Sequence, residues 1–147
     1  MKQTMLLILA CFLIVFGNAQ QSELFAPGGT ALNGYDAVAF FKESKPVKGS
    51  AMYSNQYKGA TWLFSSKENL DTFMKSPEKY VPQYGGFCAY GTSQGHKAPT
   101  QPDTWTIVNE KLYFNYNKKV KEMWEKNQAH LIEVADLKWP EVKLTKE

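Results

Sequence analysis

The sequence predicts an α+β domain: a small antiparallel sheet from hairpins packed against three helices, with a long glycine-rich ordered loop. Three observations carry that expectation. Lys58-Gly59 and Asn109-Glu110 each separate two short runs of apolar residues, as antiparallel hairpins do. Behind Ser65, Asn117 and Asn127, apolar residues recur at helical spacing, and each of these polar residues is of a type that caps a helix start. Residues 82–103 hold Tyr84, Cys88, Tyr90, His96 and four of the ten glycines, a composition that reads as neither helix nor strand. A loop of that length is functional or disordered, and the interleaved rings of Tyr84, Phe87 and Tyr90 favour order.

In chain order, a positive Lys2, the apolar run 5–16 and the small residues of Gly17-Asn18-Ala19 describe an export signal cleaved after Ala19. The run is too short to span a bilayer, which needs ~20 residues, so no stable membrane span is expected after cleavage. A lipoprotein signal at Cys11 is the competing reading, opposed by the apolar residues that continue to Phe16. Residues 20–32 form a polar, turn-rich lead-in, 33–140 the folded domain and 141–147 a polar tail.

Within the domain, 35–41 (Y-D-A-V-A-F-F) is apolar apart from Asp36 and reads as a buried strand. Asp36 itself fits an Asx turn or cap; the alternative is a carboxylate facing the glycine-rich loop. Residues 52–57 and 60–64 form a hairpin with one covered face. Ser65 with Glu68 is a capping-box pattern opening a helix with Leu70, Phe73 and Met74 inward, which stops before a turn at 77–80. Residues 104–108 and 111–116 make the second hairpin. Asn117 opens a helix through Lys126 with Val120, Met123 and Trp124 on one face, and Asn127 caps a last helix with Leu131, Ile132, Val134 and Ala135 inward, ended by Trp139-Pro140. Trp62, Phe64, Trp105 and Trp124 are read as core.

Charge narrows the function classes. The formal net charge is +3 and there is no arginine; losing Lys2 with the signal leaves 16 Lys against 14 acids, or +2. Without guanidinium groups, and with lysines scattered among acids, nucleic acid is not an expected partner. Export would favour disulfides, yet Cys88 is the one cysteine left after cleavage. It is therefore a metal ligand, a reactive thiol, an intermolecular bridge or a buried small hydrophobe.

The segment T-W-L-F-S-S-K-E-N-L-D-T-F-M-K-S-P-E-K-Y resembles the second half of a YHS domain. Gly59, Trp62 and Phe64 match its G-x-x-Y/W-x-F strand, and Phe73, Pro77 and Tyr80 its F-x-x-x-P-x-x-Y helix end. G-Y-D-A-V-A-F-F and Q-Y-G-G-F-C-A-Y-G look like an exported subgroup of that family, and the resemblance runs from about Tyr35 to Trp124. Many YHS and related metal-sensing domains bind transition metals through a cysteine in the opening segment and an F-C-S-x-x-C motif. Here the opening segment has no cysteine, and the motif's two cysteines fall on Ser65 and Asn69, which cannot replace thiolates. The family's usual metal site is therefore not expected in this chain.

What remains is Cys88 with His96, a thiolate and an imidazole suited to copper or zinc, with Asp36, Tyr84, Tyr90, Asp103 or a second subunit as supporting ligands. The expected function is an exported binding module, periplasmic or secreted, that takes a transition metal, copper before zinc. Two alternatives stay open: a small cysteine-dependent enzyme using Cys88 with a base, and a structural or interaction domain in which Cys88 is packed. A small organic ligand held by Tyr84, Phe87, Tyr90, Trp105 and Tyr116 is a further reading. His130 is expected on a surface or in a satisfied core position. The sequence names no protein partner.

Overall fold

In a computed structural model of the chain, residues 22–147 are described; the expected signal lies outside them. No helix among the described residues is long and apolar enough to cross a membrane. The fold is α+β, with two separate two-stranded antiparallel sheets where one was expected.

The run 35–41 is not a strand. Tyr35 makes one antiparallel bridge to Lys48, and the chain then turns into α1 (Ala39–Lys42). Asp36 causes the change. Its Oδ1 accepts the N–H groups of Val38 (2.8 Å) and Ala39 (3.1 Å), donors that a helix start otherwise leaves open. The capping reading of this residue holds, and the carboxylate does not face the glycine-rich stretch.

Strands β1 (Ser50–Tyr57) and β2 (Ala60–Phe64) pair antiparallel, with Tyr57 opposite Ala60. Lys58 and Gly59 both take positive φ, 51° and 78°, which is the turn whose twist suits a two-residue hairpin. Burial alternates along β2, with Ala60, Trp62 and Phe64 inward. Helix α2 (Lys67–Lys75) begins one residue later than the capping-box pattern implied. Ser66, not Ser65, caps it by accepting the Asn69 N–H (3.1 Å), because the Ser65 hydroxyl is already bonded to Asp36 (2.7 Å). Phe73 faces the core as expected; Met74 is 56% exposed and does not. The expected turn at Pro77 is a short helix, α3 (Pro77–Tyr80).

The glycine-rich stretch contains helix. After a tight turn over Gln83–Gly86 comes α4 (Ala89–Gln94), stopped by Gly95 at φ 92°. Then follow β3 (Thr106–Val108) and β4 (Lys111–Tyr113) across Asn109-Glu110, and α5 (Lys118–Glu125) capped by Asn117 Oδ1 on the Val120 N–H (2.9 Å). Met123, expected inward, is exposed. The last helix, α6 (Gln128–Val142), has no side-chain cap from Asn127 and continues through Pro140. Six α-helical segments are thus present among the described residues, where three were expected.

Strand β4 divides two cores, since successive side chains of a strand point to opposite faces. Leu112 and the following Phe114 join Val38, Phe40, Trp62, Phe64, Phe73 and Tyr80. Tyr113 points the other way, to Tyr84, Ala89, Trp124 and Ala135. Each fully buried phenylalanine contributes about 2 kcal/mol of hydrophobic stabilisation. Both ends of the described region are packed too: Leu24, Phe25 and Val142 are buried. Lys97 Nζ ties them together, donating to the carbonyls of Ser22 and Thr145 (both 2.9 Å).

Four acids of this fold hold their protons more tightly than in water. Burial raises the Cys88 thiol above its ordinary 9.0 and raises Tyr84. Burial pushes Tyr113 up to about 12, and the hydrogen bond to Glu78 pushes Tyr57 up to about 12. Above pH 9–10 the unfolded chain loses these protons first, so stability falls as pH rises. Burial lowers Lys97, which acts in the opposite direction, while the hydrogen bond to Glu68 raises Lys42, which acts with the other four. The urea midpoint should be level to about pH 9 and then drop steadily through pH 12; a midpoint that rises over that window would contradict these assignments.

Candidate functional site

Cys88 lies at the join of three segments. Its N–H donates to Ala98 O (3.0 Å), the next N–H, of Ala89, to Phe114 O (2.9 Å), and its own carbonyl accepts the Thr92 N–H (2.9 Å). The residue is the N-cap of α4, with Sγ accepting the Gly91 N–H at 3.3 Å. The thiol donates toward Asn115 Oδ1 (3.5 Å), which also accepts the Tyr90 N–H (3.1 Å). Burial pushes the thiol up, against the N–H groups of Gly91, Tyr116 and Tyr90, which favour the thiolate. A cysteine nucleophile needs the opposite net direction.

His96 follows the C-terminal end of the same helix and is exposed, its N–H donating to Gly91 O (3.1 Å). Its ring lies against Gly91: a Cβ built there would stand 3.4 Å from Nε2. Thiol and imidazole therefore meet the same residue, one through its N–H and one through the space a side chain would fill. Asn115 completes the surroundings. It is fully buried, and its Nδ2 finds no partner among the described residues. Sequence reasoning missed it, although a lone amide inside the aromatic run L-Y-F-N-Y is the same kind of oddity as Asp36.

The expected supporting ligands are placed elsewhere. Asp36 is fully buried and its two oxygens accept five hydrogen bonds: besides Val38 and Ala39, Oδ2 takes Ser65 N–H (2.8 Å), Ser65 Oγ (2.7 Å) and Asn69 Nδ2 (2.8 Å). Ser65 and Asn69 are the positions where the motif's cysteines would stand, so a carboxylate knot fills that place with hydrogen bonds. Asp103 is half-exposed beside Lys118 (3.5 Å). Tyr84 donates its hydroxyl to Asp136 Oδ1 (2.8 Å), and the Tyr90 N–H lies beside Cys88, donating to Asn115 Oδ1 (3.1 Å). No group of three His, Cys, Asp or Glu is arranged for a metal among the described residues. His130 is exposed, as expected.

The five-ring pocket is not assembled. Phe87 is fully buried, Trp105 packs on Phe40 (5.9 Å), and Tyr116 is 48% exposed. Of the five, Tyr84 borders a cleft with Asp136 and Trp139 of α6.

The fold and its best-held groups thus define a small two-core α+β module with a caged thiol at one helix start. Residues 38–84, 47 of the 147, match the family model of the YHS domain. Cys88, His96 and the second core follow the matched segment. No curated protein and no solved structure matched the chain.

Proposed function

We propose that this chain is an exported YHS-type binding module, periplasmic or secreted after cleavage following Ala19, that holds a copper(I) ion between Cys88 and His96. The observation that supports it is the shared seat at Gly91. The sulfur lies among N–H donors that favour thiolate, and an exposed imidazole, unbonded among the described residues, rests against the same residue. Soft thiolate selects copper(I), which is satisfied by two ligands. A closed zinc site takes four, which puts copper before zinc here.

Because copper must displace the thiol proton, apparent affinity should rise about tenfold per pH unit below the raised thiol pKa. Competition against a colorimetric copper(I) chelator should give one ion per chain, bound tighter than micromolar. Cys88→Ser should weaken binding at least ~100-fold, beyond what outer-sphere substitutions cause, and His96→Ala by roughly tenfold. Affinity no tighter than micromolar, or unchanged in Cys88→Ser, sinks the proposal.

One observation favours a second reading, a packed structural cysteine. Cys88 is 1% exposed and already caps α4. In that case a bulky thiol reagent labels the native protein only at the rate of unfolding, and copper does not change that rate.

A further inference from the structure

A second, separate feature points to a different ligand. A cleft of about 230 Å³ opens between the N-terminal segment, the β1–β2 turn, α3, the turn at Tyr84 and α6. Three carboxylates border it, Glu23, Glu78 and Asp136, against one lysine, Lys58. Glu78 is paired with Lys58 (3.0 Å) and Glu23 with Lys143 (3.3 Å). Asp136 has no ion-pair partner among the described residues. Its Oδ1 accepts the Tyr84 hydroxyl, and Oδ2 has no hydrogen bond among those residues.

The walls beside that carboxylate are aromatic. The rings of Tyr84 and Trp139 meet edge to face with centroids 5.8 Å apart, and both border the cleft. An aromatic face attracts a cation through its quadrupole, Trp most strongly, and a carboxylate without an ion-pair partner among the described residues stands beside it. Metal ions suit this setting poorly: calcium takes six to eight oxygens, whereas Tyr84 and Trp139 put aromatic rings beside the Asp136 carboxylate. The site is also fixed in place. Tyr84 is buried with φ at 55°, and the adjacent Gly85 carbonyl holds the Phe25 N–H at 2.9 Å.

We infer that this cleft binds a small organic ammonium ion, its charged head on Asp136 and its apolar body against Trp139 and Tyr84. The volume admits a ligand on the order of ten non-hydrogen atoms, smaller than drug-sized. This site shares no residue with Cys88 or His96, so it stands or falls independently of copper binding.

The test is an NMR titration of the purified protein, following the Trp139 indole N–H, with phenethylammonium, the neutral 2-phenylethanol and the anion phenylacetate. The ammonium should shift that signal saturably and bind at least about tenfold more tightly than the alcohol, with the anion weakest. Asp136→Asn keeps an acceptor for Tyr84 and should remove the preference for the ammonium while leaving alcohol binding unchanged. No saturable shift with the ammonium, equal binding of ammonium and alcohol, or a preference that survives in Asp136→Asn would each overturn the inference.

Discussion

Replacing Asp36 with alanine should destabilise the domain by about 4 kcal/mol, a size that breaking a buried charged network reaches. The carboxylate is fully buried and accepts five hydrogen bonds, from Val38, Ala39, Ser65 twice and Asn69. Removing it strands donors from three segments at once: the start of α1, the end of β2 and the first turn of α2. Each stranded donor costs about 1–3 kcal/mol, and relaxation recovers part of that. Asp36→Asn is the sharper variant. Donors occupy both oxygens, so either orientation of the amide turns its NH2 onto an N–H or hydroxyl donor, and the loss should be roughly 2–3 kcal/mol. Urea unfolding measures both. An asparagine variant within 0.5 kcal/mol of wild type, the scatter of ordinary surface substitutions, would show that the shell is not all-donor.

Gly85→Ala should be nearly as damaging. Gly85 has φ at +61°, and a Cβ there would stand 1.7 Å from the carbonyl oxygen of Glu23. Left-handed backbone alone costs alanine about 1–2 kcal/mol. The clash is with backbone, so the 22–25 segment must move, breaking the Phe25 N–H bond to Gly85 O and exposing Leu24 and Phe25, both buried. The expected total is about 3–4 kcal/mol, with new protease cleavage near Phe25. Full stability with no new cleavage would mean that this segment is not seated as described.

These two residues also show what was legible in the sequence. Asp36 stood out as one charge in an apolar run, and its capping role followed from residue type. That the run was helix and not strand did not, because a short apolar stretch has no periodicity to separate them. The capping residue of α2 was misplaced by one because a distant carboxylate claims the Ser65 hydroxyl. Both hairpins were readable from their two-residue turns, being local. Helix α4 was hidden in a glycine-rich stretch because its stability is tertiary: Cys88 caps it, and Lys138 of α6 donates to Ser93 O (2.7 Å). Met74 and Met123 fit the helical repeat but fall on its wet edge.

The candidate sites divide the same way. Cys88 and His96 were visible as the chemistry-bearing residues of one stretch. Asn115, Asp136 and Trp139 were not, since 27 residues separate Asn115 from Cys88 and 52 separate Asp136 from Tyr84. No local pattern announces such pairings.

X-ray absorption at the copper edge of the copper(I)-loaded protein reads directly whether Cys88 and His96 hold the ion. The expected result is a low-coordinate copper with one sulfur and one imidazole nitrogen, the sulfur lost in Cys88→Ser and the imidazole in His96→Ala. Copper surrounded only by nitrogen or oxygen in the wild type, with Cys88 still a thiol, would contradict it.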